Sequence, residues 1–512
     1  MLVHEFLEQS AKAFPEKAAV IKSGQRLTFR ELDERANRLA HGLKHAGVRR
    51  GDRVGLYLGN SLDAVISIFA VLKADAVFVP ANRGFKAGKL FSVLENCQAS
   101  ALITDGRALS QGVAEQVLER VKSTQCVVIS GAQAGSRANG HGRVLDFDAI
   151  QKNHPATKPL SENIDLDLAC LIYTSGTTGD SKGVMCDHGN MVFVTNAVTG
   201  YLKNSERDIT MNVLPLAFSY GLYQLLAMCC KGGTLVLEDS FAFPDLVLET
   251  IARERVTGFA AVPTMYALLL GMDTSRYDLS ALRYFTNAAA GLPVEHVRQL
   301  RQRFPQVALY LMHGLTEVGR SMYLPPGQTD TRPASSGIPL PGTELWIEGE
   351  DGRRVPRGEI GELMVRGRNV MRGYWQAPEL SEERFRPGAI PGERICRTGD
   401  LFRQDEDGYF YFVSRKDDII KSRGEKVAPR EIENVLYSLA GVREAAVIGV
   451  PDALFGQAVK AFIVAQGKSL TENEVISHCK ARLEDFMVPR QVEFRSELPK
   501  TSSGKIRRVD LR

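Results

Sequence analysis

The constraint that bears hardest on the fold is an alternation near the N-terminus. RVGLYLG (Arg53 to Gly59) reads as a short strand, Leu62 to Leu72 as an apolar helix, and AVFVP (Ala76 to Pro80) as a second strand. Strand, helix and strand with short connections require parallel pairing, with helices covering both faces of the sheet. Upstream, Thr28-Phe29-Arg30-Glu31-Leu32 opens a helix that continues as LDERANRLAHGLKHAG and stops at Gly47. The expected class is α/β.

Further along, the texture changes twice. From about residue 330, TELWIEGEDGRRV and GELMVRGR alternate and turn at Asp351-Gly352, which predicts an antiparallel module. After Lys416-Asp417-Asp418, EIENVLYSLAG and ENEVISHCKARL read as helices, and AAVIGV and AVKAFIV as strands of a small α+β domain. A chain of 512 residues fits two to four domains of about 150 residues each. The Gly/Ala/Ser-rich stretch 131–143 predicts a surface loop, and no internal repeat is found.

Composition excludes several classes. Sixty-four basic against sixty acidic residues leave a net charge of +4 without a basic run, which argues against wholesale nucleic-acid or membrane-surface binding. The longest apolar stretch, Ala64 to Leu72, stops at Lys73 and Asp75, far short of the roughly 20 residues a bilayer span needs. Charges within MLVHEFLEQSAKAFPEK argue against a signal peptide. Eight cysteines without a CxxC pair read as buried thiols in a reducing cytoplasm, and the absence of HExxH argues against a protein-bound metal.

The segment that carries chemistry is LIYTSGTTGDSKGV, Leu171 to Val184. An apolar strand runs into glycines and small hydroxyl residues, whose backbone N–H groups can turn inward around an anion. Thr174, Ser175, Thr177, Thr178 and Lys182 add donors, with Gly176 and Gly179 between them. The spacing is not that of a P-loop. Taken alone, the loop reads equally as a hydroxyl-rich surface turn.

YTSGTTGDSKGV resembles the phosphate loop of the adenylate-forming superfamily: acyl-CoA synthetases, adenylation domains and luciferases. Other motifs follow in the family's order. They are LTFRELDERANRLA from Leu27, LKADAVFVP from Leu72, HGLTE from His313, GELMVRGRNVMRGYW from Gly361, RTGDL from Arg397, SRKDDIIKSRGEKVAPREIE from Ser414 and PKTSSGKIRR from Pro499. Asp75 departs from the pattern, since glycine is usual there. The resemblance implies a large N-terminal domain (1–413) of two parallel-rich sheets with helices and a distorted antiparallel barrel. A hinge (414–418) and a mobile α+β C-terminal domain (419–512) follow.

The resemblance also implies a two-step reaction. A carboxylate attacks the α-phosphate of Mg-ATP, giving acyl-adenylate and pyrophosphate; a phosphopantetheine thiol then displaces AMP. An anion attacking a polyanion needs cations and N–H dipoles. Lys505, by itself a surface lysine, is placed between the carboxylate and the α-phosphate. Lys182 joins it, and Thr316 and Glu317 address the phosphate and Mg²⁺, Glu317 as the metal's oxygen ligand. Asp400 receives the ribose hydroxyls, Arg415 adds a nucleotide contact, and His313 replaces the usual aromatic over adenine. Asp417 takes the hinge position; Gly424 and Lys426 serve thioesterification.

The acid pocket falls to Phe218, Ser219, Tyr223, Asn287, Ala288, Ala289 and Met312. In amino-acid-activating relatives an aspartate often stands where Ser219 does, so Ser219 argues for an acid without a free α-amino group. FSYGLYQLL and EVGRSMYLPP resemble prolyl-carrier-protein ligases as well as acyl-CoA ligases, so a proline-like acid stays open. CoA and a separate carrier protein both remain candidate acceptors. Arg320 is expected to bridge the domain surface; the alternative is a contact to a second substrate carboxylate. A luciferase-type oxygenase and a non-catalytic relic are the other readings of the scaffold, and the intact ionisable residues oppose the relic.

Overall fold

The computed structural model describes the chain except residues 132–142, 176–180, 424, 453–455, 468, 502–503 and 512, and the side chains of Leu109, Arg143 and Ser175. The predicted loop at 131–143 thus lies almost wholly outside the described residues.

The alternation near the N-terminus folds as expected. Thr28 caps the helix Phe29–His45 through a reciprocal pair with Glu31, and Gly47 follows its end in the left-handed region at φ 99°. The helix Leu62–Lys73 links the parallel strands Arg53–Tyr57 and Val77–Pro80. These strands lie inside a seven-stranded sheet that ends on Leu168–Ser175 and Ser181–Asp187. That last pair is antiparallel and brackets the glycine- and hydroxyl-rich loop.

A nine-stranded sheet carries the second core. Its parallel strands Gly258–Ala261, Tyr284–Asn287 and Ala308–His313 are in register Ala261–Asn287 and Asn287–Leu311, so all three end at one edge. Ligands of open α/β sheets bind beyond the carboxyl ends of such strands. The third sheet is antiparallel: Thr343–Glu348, Gly361–Gly367 and Arg394–Gln404 pair in turn, and Phe410–Arg415 joins the last of these. Arg394–Gln404 alternates buried with more exposed positions, whereas Leu345 to Glu348 and Leu363 to Val365 are buried without a break, so the expected alternation holds for only part of the module.

A smaller C-terminal domain follows. Val442–Asp452 and Gly456–Ala465 form its long antiparallel pair, covered by the helices Pro429–Tyr437 and Glu472–Lys480. It is held on the larger domain by Arg430, which donates to the carbonyls of Gly291 and Leu292 at 3.1 Å each. His296 and Tyr437 also meet edge to face across this junction, with ring centroids 5.1 Å apart.

Asp75 sits at φ 62°, where side chains are strained and glycine is favoured. Its carboxylate recovers part of that cost in an ion pair with Lys44 at 2.8 Å. Seven cysteines are buried and Cys230 is partly exposed. Among the described residues no helix is long and apolar enough to cross a membrane.

Candidate active site

Lys505 is the side chain around which the other charged groups gather. Its turn is closed by Thr501 and Lys505, whose backbone N–H and carbonyl meet at 2.8 Å, and is pinned to the larger domain where Thr264 donates to the Gly504 carbonyl at 3.1 Å. The ammonium reaches 5.6 Å from the ring centroid of Phe218. Burial first, and then the charge of Arg415, press its pKa below the ordinary lysine range, against the pull of Asp400 and Glu317. A C-terminal lysine is therefore seated among groups from three other segments.

Asp400 and Arg415 face one another in neighbouring strands of the antiparallel sheet. Arg415 Nε lies 2.9 Å from Asp400 Oδ1, but its N–H is not aimed at that oxygen, which keeps acceptor capacity in a buried place. Burial pushes the Asp400 carboxyl up. The hydrogen bond and charge of His313, with Arg415 and Arg384, outweigh that and hold it below its usual range. His313 stands with Nε2 3.0 Å from Asp400 Oδ2 and Nδ1 2.7 Å from Ser321 Oγ. Its ring meets Phe402 edge-on at 5.0 Å and lies tilted 30° from Phe412 at 6.4 Å.

Glu317 is buried and accepts from the Tyr374 hydroxyl at 2.7 Å. Lys182 lies opposite Thr174 on the loop's hairpin and reaches 5.6 Å from the Tyr374 ring centroid. Arg384 Nη2 stands 4.0 Å from Glu317, and its Nε is buried without a hydrogen-bond partner. Nothing in the sequence pointed to Arg384, which sits in a short charged helix, PELSEER. Tyr374 lay within a recognised motif but carried no assigned role. Thr316 is partly buried beside Glu317.

Lys182, Arg384, Arg415 and Lys505 thus converge on two carboxylates, Glu317 and Asp400. The excess of cations, the open acceptor on Asp400 and the unpartnered Arg384 Nε suit a nucleotide triphosphate. Gly176, Thr177, Thr178, Gly179 and Gly424 lie outside the described residues.

The expected pocket residues gather at the same edge. Phe218 caps the helix Ser219–Lys231, which carries Tyr223; Asn287 ends one parallel strand with Ala288 and Ala289 just beyond it, and Met312 lies on the next strand. Ala289 adopts φ 74°, a strained backbone of the kind that collects at functional sites. Arg320 departs from expectation. It is 5% exposed, so it does not bridge the domain surface; the guanidinium carbon lies 5.3 Å from the Tyr220 ring centroid. Asp417 is exposed in the turn Lys416–Asp418. Lys426 is also exposed and pairs with Glu350 at 2.8 Å, so it stands outside the charged cluster.

The family model described as AMP-binding enzyme matches residues 7–375, and the one described as AMP-binding enzyme C-terminal domain matches 431–505. The chain belongs to the AMP-binding enzyme family. Among curated relatives, a long-chain-fatty-acid–CoA ligase of Salmonella typhimurium is 33% identical, over 99% of this chain and 93% of its own. A feruloyl-CoA synthase of Amycolatopsis sp is 36% identical, covering 98% and 96%. Among solved structures, the anthranilate CoA ligase AuaEII in complex with anthranoyl-AMP superposes with a TM-score of 0.91 at 31% identity, covering 100% and 96%. This AMP-binding enzyme is an AMP-forming acid–thiol ligase: a carboxylic acid and ATP give an acyl-adenylate and pyrophosphate, and CoA takes the acyl group as a thioester.

Proposed function

We propose that the chain activates a carboxylic acid lacking a free α-amino group and passes it to CoA, with Lys505 as the residue that drives the first step. The observation that carries this reading is the place of the partly buried Lys505, 5.6 Å from the Phe218 ring centroid and within the field of Arg415, Asp400 and Glu317. An attacking carboxylate and an α-phosphate repel each other, and a desolvated ammonium between them offsets the charge that builds as they approach. Asp400 accepts the ribose hydroxyls, with Arg415 alongside and His313 at the nucleoside. Thr174, Lys182, Thr316 and the loop Ser175 to Gly179 hold the phosphates; Arg384 takes part through its unpartnered Nε. A magnesium ion carried on the triphosphate would find its protein oxygen on Glu317 and would neutralise phosphate charge.

The acid lies between Phe218, Ser219, Tyr223, Asn287, Ala288, Ala289 and Met312, with Ser219 where amino-acid-activating relatives often carry an aspartate for the ammonium. The boundaries 1–413, 414–418 and 419–512 describe a body, a hinge at Asp417 and a mobile module. The strand Phe410–Arg415 runs two residues past the first boundary. Rotation at the hinge would withdraw Lys505 and bring Gly424 and Lys426 to the site for thioesterification. CoA is favoured over a carrier protein because the relatives' names are those of CoA ligases.

The test is acid-dependent ATP–pyrophosphate exchange without a thiol, across benzoates, cinnamates, short and long fatty acids, dicarboxylates, proline and other amino acids. Exchange with acids lacking an α-amino group is the expected result. Exchange with proline alone would overturn the Ser219 argument.

A further inference from the structure

Arg320 is buried, yet among the described residues no aspartate or glutamate pairs with it. Its Nε is buried without a hydrogen-bond partner. A buried cation without an anion is costly, and the face of Tyr220, at 5.3 Å, offsets only part of the loss. The surrounding phenols do not finish the work. Tyr220 donates to the Thr286 carbonyl at 2.8 Å, and Tyr201 to Met312 Sδ at 2.8 Å, so both hydroxyls are occupied. The Tyr223 hydroxyl is different: it too is buried and has no partner. Burial raises its pKa, which keeps it a protonated donor.

The two idle donors have a fixed relation to the reaction centre. Phe218, beneath the Lys505 ammonium, caps the helix Ser219–Lys231. Tyr220 and Tyr223 lie further along that helix, and Arg320 rests on Tyr220. Gly319, next to Arg320, leaves little space against the Tyr223 hydroxyl: a β-carbon there would come within 3.3 Å of it. The helix therefore runs from the reacting end at Phe218 to the unpaired hydroxyl of Tyr223, and the unpaired cation of Arg320 rests on its Tyr220.

We infer that Arg320 and Tyr223 form a receptor for a second carboxylate at the far end of the acid pocket, and that the preferred substrate is a dicarboxylic acid. This rests on the proposed placing of the pocket. A carboxylate accepts from several donors at once and supplies the charge that Arg320 lacks. Only the end near Lys505 is activated; the other stays ionised and serves as an anchor. Arg320 is a specificity residue and takes no part in bond making.

The test uses matched acids, hexanoate with adipate and benzoate with isophthalate, in ATP–pyrophosphate exchange by wild type, Arg320→Met, Arg320→Lys and Tyr223→Phe. Wild type should favour the dicarboxylate of at least one pair. Arg320→Met should then cost that acid about 10- to 100-fold in kcat/KM, chiefly through KM, as expected for a lost charged hydrogen bond. It should spare or improve its monocarboxylate. Arg320→Lys should restore part of the preference, and Tyr223→Phe should narrow it by costing the dicarboxylate more than its monocarboxylate; these two answer the question even if Arg320→Met does not fold. A wild-type preference for the monocarboxylate in both pairs, or equal losses for both members in Arg320→Lys and Tyr223→Phe, would overturn the inference. Calorimetric titration of the same acids separates this from the parent reading. Arg320-dependent binding of a dicarboxylate without exchange would uphold the receptor and sink the ligase roles; exchange without it would do the reverse.

Discussion

Two lysines of the C-terminal domain, Lys505 and Lys426, differ in surroundings more than in chemistry. Lys505 is desolvated among Arg415, Asp400 and Glu317, while Lys426 stands in solvent against Glu350. An exposed ion pair of that kind contributes about 0–1 kcal/mol. A partly buried ammonium in a charged cleft acts through a stronger field, because less water screens it. The difference follows from how the small domain is docked. Arg430 on Gly291 and Leu292, and Thr264 on Gly504, hold the face that bears Lys505 against the larger domain. The same docking turns Lys426 outward.

The most damaging change should be Lys505→Ala, with acid-dependent pyrophosphate exchange falling at least about 100-fold, as for other single electrostatic stabilisers. Lys426→Ala should change that exchange less than twofold and slow the thioester step instead. Tyr374→Phe comes next: it strips the hydroxyl from buried Glu317, and exchange should fall about tenfold, the scale of a hydrogen bond to a charged group. Arg430→Ala loosens the docking without touching the charged cluster. Exchange should fall several-fold, while thioester formation from supplied acyl-adenylate should hold or rise.

A smaller effect concerns pH. Lys505 must be protonated to act, and its lowered pKa places the basic limb of the exchange rate below the ordinary lysine value of 10.5. Arg415 is one cause of that lowering, so Arg415→Gln should move the limb to higher pH even as the rate drops. The smallest effect lies far from the site. Burial pulls His4 down to about 3 and His188 to about 4, from an unfolded value of 6.5. Both depressed groups contribute stability that is complete above 6.5 and is lost as pH falls through that value towards 4 and 3. The urea midpoint of the large domain should follow that window, and a midpoint flat between pH 6.5 and 4 would contradict it.

The fold was legible because its signals are local. Strand–helix–strand spacing around Leu62–Lys73 and the cap of Thr28 and Glu31 each depend on neighbouring residues. The candidate site was legible only where a motif carried it, as at Lys505, Asp400 and Glu317. Arg384 was invisible because its approach to Glu317 is set by how a short helix packs on the antiparallel sheet. Arg320 was misjudged for a related reason. An arginine three residues after Glu317 reads as solvent-facing until the tyrosines of the Ser219–Lys231 helix are folded over it. Asp75 misled less than it promised: its left-handed backbone explains why glycine suits the position, and Lys44 explains how aspartate is held there.

The central claim is that docking of the C-terminal domain dedicates Lys505 to one half of the reaction. Rapid-quench measurement of both halves in Lys505→Ala tests it most directly, using an acid found by the exchange panel and the matching synthetic acyl-adenylate. The account predicts that adenylate formation falls at least about 100-fold, while transfer from supplied acyl-adenylate to CoA stays within about threefold of wild type. Equal loss in both halves, or adenylate formation at the wild-type rate, would contradict it.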